Sequence, residues 1–552
     1  MNGADAAAAA LAESGVEIAF GLPGVHNLEL WRACAAAGVR IVGSRHEQGC
    51  AYAADGLARS TGRPGVALTT TGPGAANTLG AVGEAWASKS PVVVVATDIA
   101  TTQRRPGEYL GVLHECTDQA AMFAPVTKAR HIVDDASLVG DAISDAILTA
   151  RRPPAGPVYV GVPTDLLTSP SRPPSRPPSR PPSRPPSRPP STSRTAERAP
   201  RPDLTEALAL LAAAERPMLW IGGGGRGAAG GVDDLARRLG APVLTTFSAR
   251  GVLPAGHPLL VPAPPHEPAV TALVERSDLV IVVGSDLDHM NTMAGRLPLP
   301  DRRLAVNLDP VDATKSYPMD TVVESPAEVA LPALAEAVER RDPWAGDMEA
   351  LGRGVRDELR AADETATSIE FLERTEAALP ADSVVFADMC IPGYWLAGYA
   401  CVGHERGLHY PMGWGTLGWS FPAAIGAAAA LRGARPVIAV CGDGGMMFAT
   451  GELGTIAQEN LPVTIVVVDD GGYGMLRYGR ESAADTGCDL LGPDFAALAG
   501  AFSIGATKVH GVGPAYQHAL AGAVASREPH LIHLEAGLYP PRTTSPRWPL
   551  RA

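Results

Sequence analysis

Two glycine-bounded carboxylates, each set directly after a run of β-branched residues, carry the clearest chemistry in this sequence. Gly442-Asp443-Gly444-Gly445 follows the run Pro436 to Cys441, and Asp469-Asp470-Gly471-Gly472-Tyr473-Gly474 follows Pro462 to Val468. A carboxylate at the carboxyl end of a parallel strand, in a turn whose glycines bring backbone N–H groups to the surface, suits a cation or a phosphate. One such turn is commonly structural. Two of them, a helix and a strand apart, place two carboxyl-bearing loops side by side at one edge of a sheet. That is a magnesium site in outline. Mg²⁺ takes octahedral oxygen ligands, typically one or two carboxylates plus substrate phosphate oxygens, and a glycine carbonyl supplies another. A diphosphate bridged to protein through Mg²⁺ satisfies both the acids and the glycines.

Other residue groups become informative beside this pair. Arg45-His46-Glu47-Gln48-Gly49 lies between Val39 to Gly43 and a small-residue helix, Cys50 to Ala58; taken alone, Glu47 is a helix-start residue at the positive dipole end. Gly72-Pro73-Gly74-Ala75-Ala76-Asn77 follows another apolar run, and Gly413-Trp414-Gly415-Thr416-Leu417-Gly418 precedes the first acidic turn. By itself Leu417 is ordinary core packing. His26, in Leu22-Pro23-Gly24-Val25-His26-Asn27, and His114, in Leu113-His114-Glu115-Cys116-Thr117-Asp118-Gln119, titrate near neutrality and could relay protons, or could be structural. Lys128 is a weaker substrate-side candidate, and Met446, Met475 and Leu476 are either channel walls or core.

Together these motifs resemble the thiamine-diphosphate enzymes of the acetolactate synthase, benzaldehyde lyase and 2-oxo acid decarboxylase type. Their diphosphate motif is Gly-Asp-Gly, an interval, then Asn or Asp, one residue, and Gly. The resemblance implies Asp443, Asp470 and the Gly472 carbonyl as Mg²⁺ ligands, with Gly442, Gly444, Gly445 and Tyr473 around the diphosphate. Asp470 stands where the family commonly has Asn, which adds negative charge. The stretch to Asp98 looks like the family's pyrimidine-binding domain, with Gly72 and Asn77 beside the cofactor. Glu47 would share a proton with the pyrimidine ring, the step that makes the cofactor reactive. Gly415 would accept the cofactor's amino group on its carbonyl, and Leu417 would wedge beneath the bent cofactor. His26 and His114 would complete the catalytic set. Val25 replaces the acid of simple pyruvate decarboxylases, and a small apolar residue followed by His is the benzaldehyde lyase pattern.

The implied activity is thiamine-diphosphate- and Mg²⁺-dependent loss of CO₂ from a 2-oxo acid, pyruvate for preference, with carboligation to a second carbonyl in the manner of acetolactate synthase. A benzaldehyde lyase-like or aryl 2-oxo acid decarboxylase activity is the alternative. A catalytically silent cofactor-binding partner subunit would lack the glutamate or the metal motif, and Glu47, Asp443 and Asp470 are all present. In this family the cofactor lies between the first domain of one chain and the last of another, so a homodimer or homotetramer is implied. Gly222 to Gly227 formally satisfies G-x-G-x-x-G, but the acidic residue expected about 20 positions on is replaced by Thr245 and Thr246, which argues against NAD. FAD occupies the middle domain of acetolactate synthases and not of many relatives. Here Leu259 to Pro265 replaces the glycine-rich stretch of the FAD-binding members, which counts against it.

The elements that must position these residues follow from the apolar runs. Val66 to Thr71, Pro91 to Asp98, Val158 to Val162, Met218 to Gly222, Leu279 to Gly284, Leu304 to Leu308, Val384 to Asp388, Val437 to Cys441, Val463 to Val468 and Leu531 to Leu534 are unalternated and separated by helix-length segments. Such runs predict parallel strands buried on both faces. The expectation is α/β: three doubly wound parallel-sheet domains, pyrimidine-binding (1–168), central Rossmann-like (203–340) and diphosphate-binding (365–552), with a charged helical connector at 341–364. Residues 169–202 form a linker in which Ser-Arg-Pro-Pro repeats five times, a composition that favours a solvated, disordered polyproline II tether.

A length of 552 residues leaves ample material for several cores, and an aromatic share of only 5% makes those cores aliphatic. The net charge of −13 repels a phosphate backbone, so nucleic acid is not an expected partner. Seven cysteines with no Cys-x-x-Cys pair argue against a disulfide framework or zinc ribbon. Phe421 to Leu431, the longest nearly apolar stretch, falls well short of the roughly 20 residues that span a bilayer. The alanine-rich N-terminus has no basic start and carries Asp5 and Glu13, so it reads as an amphipathic helix, and no membrane association and a cytoplasmic location are expected.

Overall fold

The computed structural model describes residues 1–105, 108–174, 202–478 and 487–548. Most of the Ser-Arg-Pro-Pro tether lies outside them. The chain forms two compact units, Met1–Arg201 and Pro202–Ala552.

The first unit is built on a six-stranded sheet of β1 (Ile18–Gly21), β2 (Arg40–Gly43), β3 (Gly65–Thr69), β4 (Val92–Asp98), β5 (Ala129–Ile132) and β6 (Val158–Pro163), all parallel, in the order β2-β1-β3-β4-β6-β5. The chain leaves β1 toward β2 and returns on the other side to β3, so the carboxyl ends of β1 and β3 border a crevice where the strand order reverses, the place where open α/β sheets bind ligands. β3, β4 and β6 are buried along almost their whole length because helices cover both faces, which is why their sequences do not alternate.

The N-terminal helix Gly3–Glu13 starts with a capping box between Asn2 and Asp5. It is more deeply buried than an amphipathic surface helix. Ala4, Ala6, Ala7, Ala8, Ala10 and Leu11 are all sealed, since small side chains let it pack closely among neighbouring helices.

The second unit carries two parallel sheets. One has β7 (Pro217–Ile221), β8 (Val243–Thr245), β9 (Leu279–Val283), β10 (Arg303–Asn307) and β11 (Thr321–Glu324) in the order β11-β10-β9-β7-β8. The other has β12 (Val384–Ala387), β13 (Leu408–His409), β14 (Val437–Gly442), β15 (Val463–Asp469), β16 (Gly505–His510) and β17 (His530–Glu535) in the order β13-β12-β14-β15-β17-β16. The helix Met348–Ala361 runs between them in sequence and opens on the Asp347 carboxylate, which caps the N–H groups of Glu349 and Ala350. The last sheet reverses between β12 and β14, so the loops after these strands border its crevice and the loop after β15 adjoins it. All ten apolar runs lie on strands, and the architecture is the three-sheet doubly wound α/β fold expected from them.

Candidate functional site

In the first unit the crevice between β1 and β3 collects the candidate residues. The loop after β1 brings His26, the loop after β3 brings Thr71 and Gly72, and the helix Glu47–Thr61 begins directly after β2. Glu47 sits in the first turn of that helix, capped by the His46 ring, which accepts the Gln48 N–H. It is nearly buried, and Asn77 Nδ2 donates to Glu47 Oε2 at 2.9 Å. Asn77 therefore fixes one carboxylate oxygen. Gly74 lies beside it: an added Cβ would be 2.6 Å from Thr70 Cγ2 and 3.4 Å from Glu47 Oε1, so only glycine keeps this space.

His26 Nδ1 lies 2.8 Å from Thr71 Oγ1, which in turn lies 2.9 Å from Thr97 Oγ1. The His26 and His114 rings lie side by side, tilted by 55°, with centroids 5.2 Å apart. Burial, then the neighbouring His114, holds the His26 pKa below the usual imidazole value. His114 adopts φ +69°, and its carbonyl approaches Gly72 so closely that a Cβ there would lie 2.6 Å away. Gly72, itself at φ +64°, donates its N–H to Gln119 Oε1 at 2.6 Å, while Gln119 Nε2 donates to the Thr97 carbonyl and the Tyr159 hydroxyl. His114 Nδ1 is sealed from solvent and has no hydrogen-bond partner among the described residues. The geometry thus joins His26 and His114 through Thr71, Gly72 and Gln119. Thr71 and Gln119 were not among the candidates, because a Thr at a strand end and a Gln in an irregular loop carry no spacing signal.

Lys128 does not belong to this group. Its Nζ donates to the carbonyls of Thr149, Arg152 and Pro154, closing the end of the helix Val139–Arg151, so its role is structural.

In the second unit Asp443 opens the short helix Asp443–Met447 at the end of β14, with Gly442 as its cap. Asp443 is 3% exposed, and its Oδ2 has no partner among the described residues. Burial pushes its pKa up to about 6, the charges of Asp470 and Asp469 add to this, and the Gly444 and Gly472 N–H groups oppose it. A buried carboxylate oxygen left without a donor beside a second acid is the arrangement a cation completes. Asp470 is also pushed up by burial, but Arg477 counters it: the guanidinium donates to Asp470 Oδ1 at 2.6 Å and to its carbonyl at 2.7 Å. One expected Mg²⁺ ligand is thus already paired with a side-chain cation.

The glycines here answer to close contacts. A Cβ at Gly444 would lie 2.6 Å from the Tyr473 ring, one at Gly472 2.1 Å from the Cys488 carbonyl, and one at Gly445 2.5 Å from Asp388 Oδ2. Among the described residues no group of three His, Cys, Asp or Glu side chains could hold a metal. Two carboxylates and a carbonyl fit Mg²⁺ only with further oxygens from a bound diphosphate.

Asp388, at the end of β12, was missed. It is fully buried, its pKa is pushed up to about 6 by burial, and it accepts the N–H groups of Gly418 at 2.8 Å and Trp419 at 3.2 Å. It therefore ties the Gly413 to Gly418 loop to the crevice of the last sheet. Gly415 takes φ +67° and Leu417 is half-buried beside it. Met446 is sealed in the interior, whereas Leu476 is exposed. In the central sheet Gly222 and Gly224 press on Gly284, where added Cβ atoms would lie 2.4 and 2.8 Å from its backbone. Close packing of two strand ends accounts for these glycines.

Comparisons with known proteins agree with the geometry. Residues 1–122 match the thiamine pyrophosphate enzyme N-terminal TPP binding domain, residues 204–334 the central domain and residues 390–534 the C-terminal TPP binding domain. The chain is 33% identical over 506 residues to the "Probable 2-ketoarginine decarboxylase" of Pseudomonas aeruginosa, covering 89% of this chain and 86% of that protein. It is 30% identical over 530 residues to the acetolactate synthase isozyme 2 large subunit of Escherichia coli, covering 91% and 90%. The fold matches a thiamine diphosphate-dependent 4-hydroxybenzoylformate decarboxylase from Rhodococcus jostii RHA1 with a TM-score of 0.78 at 23% identity, over 98% and 99% of the two chains. The chain belongs to the thiamine pyrophosphate enzyme family.

Proposed function

We propose that this protein is a thiamine-diphosphate- and Mg²⁺-dependent 2-oxo acid decarboxylase. The observation that carries the reading is the His26–His114 pair at the crevice of the first unit, two imidazoles with ring centroids 5.2 Å apart, one of them held by Thr71. When bound, thiamine diphosphate supplies a nucleophilic carbon that holds the electron pair released with CO₂. Glu47, oriented by Asn77, holds a proton for the pyrimidine ring. Asp443, Asp470 and the Gly472 carbonyl hold Mg²⁺, Gly444 and Gly445 leave room for the diphosphate, and Gly415 and Leu417 support the cofactor. His114 would supply the proton that takes the place of CO₂ in the aldehyde product, and His26, fixed by Thr71, would hold the proton that the product hydroxyl gives up as the aldehyde leaves. As the family resemblance implies, the reading also has two copies of the chain complete each site, and an active monomer in gel filtration would contradict that part.

Relatives named as decarboxylase and as acetolactate synthase both support the cleavage of a 2-oxo acid. Carboligation is the second reading. Val25, beside His26, is 87% exposed and offers no carboxyl group to protonate the product, which leaves space for a second carbonyl compound. The test is incubation with thiamine diphosphate, Mg²⁺ and a panel of 2-oxo acids that includes pyruvate, an aryl 2-oxo acid and a guanidino 2-oxo acid. Aldehyde and CO₂ in equal amounts support decarboxylation, acyloin or 2-hydroxy-3-oxo acid products support carboligation, and no CO₂ from any of them refutes both.

A further inference from the structure

A cavity of about 560 Å³ lies in the second unit, along the edge strand β8 and the helix Met348–Ala361. It is separate from the glycine turn after β7, since none of Gly222 to Gly227 lines it. Six arginines line it, against three carboxylates, Asp342, Asp347 and Glu349. Several of these charges are already matched. Arg237 pairs with Asp233, Arg353 with Glu349, and Arg356 makes a two-bonded contact with Glu376 at 2.9 and 3.0 Å.

Arg250 is different. It is 8% exposed, has no carboxylate partner among the described residues, and spends only its Nε, on the Ala397 carbonyl at 3.2 Å. Its Nη1 and Nη2 make no hydrogen bond among the described residues. Burial depresses its pKa to about 10, with Arg356 adding to the effect and Cys401, Glu376 and Tyr399 opposing it, so it is still charged near neutrality. The backbone holds it in place: Gly251, at φ +84°, leaves no room for a Cβ against the His404 carbonyl, 2.0 Å away. Arg340 is exposed on the same lining and has no ion pair among the described residues. A buried guanidinium with two unused donor groups facing a cavity is costly unless an anion completes it.

The apolar part of the lining is aliphatic, with Leu253, Leu259, Leu260, Pro262, Met348 and Val402, and among the described residues no Phe, Tyr or Trp lines the cavity; its one ring, His257, is engaged with Asp233. We propose that this cavity is a binding site for a small organic anion, one carboxylate or phosphate group on an aliphatic body, with Arg250 seating the anionic group and Arg340 attracting it. The site is independent of the thiamine diphosphate reading.

The test uses the full chain saturated with thiamine diphosphate and Mg²⁺, so that the diphosphate turn is not the binder, and titrates it calorimetrically with octanoate and, separately, octyl phosphate. One saturable site with a Kd below about 1 mM is expected for at least one probe, and the probe that binds identifies the anionic group. Arg250→Met keeps the side chain's bulk and removes its charge, and should weaken binding at least about 10-fold. Arg340→Glu, at an exposed position where folding is not at stake, should weaken it in the same direction by a few-fold. No saturable binding of either probe, or equal binding by wild type and both variants, overturns the proposal.

Discussion

Removing the Glu47 carboxylate separates its chemical role from its structural one. Glu47→Gln preserves size and the acceptor that receives the Asn77 Nδ2 hydrogen bond at 2.9 Å, so the fold and cofactor affinity should change little. What it removes is a group able to hold a transferable proton. Loss of such a group lowers turnover by about 10² to 10⁴-fold, or roughly 3–5 kcal/mol of barrier. Asn77→Ala leaves the carboxylate but frees its orientation. A hydrogen bond to a charged, nearly buried group is worth about 1.5–3 kcal/mol, so turnover should fall about 10- to 150-fold. If Asn77 acts only through Glu47, the double variant should be no slower than Glu47→Gln alone, a coupling of about 1.5–3 kcal/mol. The assay is CO₂ release at saturating cofactor, with cofactor affinity measured separately by calorimetry. Glu47→Gln retaining more than about a tenth of wild-type turnover would refute the assigned role. Additive effects of the two changes would refute the route from Asn77 through Glu47.

Asp388 should give the apoprotein an unusual pH dependence. Its folded pKa of about 6 exceeds the unfolded value of 3.8, so between these values the folded state holds the extra proton. Its contribution is therefore greatest below about pH 4, declines by about 3 kcal/mol as pH rises through 6, and is flat above. Asp388→Asn should remove this segment, and a melting-temperature gap between variant and wild type that is the same at pH 4.5 and 7.5 would contradict it. Gly445→Ala places a Cβ 2.5 Å from Asp388 Oδ2 and should lose cofactor affinity at least about 10-fold by calorimetry. Gly500→Ala, with nothing within 4 Å in the helix Phe495–Ala501, should instead raise the melting temperature. Arg59, 7% exposed, bridges the fully buried Asp55 and Glu84 at 2.8 and 3.0 Å, and Arg59→Ala strands both carboxylates at a cost of about 3–5 kcal/mol. Urea unfolding checks it, and an unchanged midpoint would exclude a stabilising triad.

The sequence by itself determined the parts of this protein whose physics is local. The ten continuous apolar runs are strands buried on both faces, because helices on each side of a parallel sheet demand apolar residues at every position. The strands outside that set are β1, which is only Ile18–Gly21, and the six sheet edges β2, β5, β8, β11, β13 and β16. Most edges lack the continuous signal because one side meets solvent or loops, as in the half-exposed Ala129–Ile132 and Gly505–His510. The acidic glycine turns were legible for the same reason. Each is a short motif directly after such a run, and its chemistry follows from residue types within a few positions.

Tertiary structure alone decided which distant residues meet. Asp388 is a lone acid in sequence, and only the strand order that sets β12 beside β14 brings it under Gly418 and against Gly445. The same holds for Gln119 on the Gly72 N–H and for His26 beside His114. Lys128, a candidate by residue type, was withdrawn to three carbonyls by a helix end it could not reveal from its neighbours. Spacing along a chain encodes what a strand or a turn can do. Contacts between chain-distant loops depend on crossover topology and packing, which no local pattern specifies.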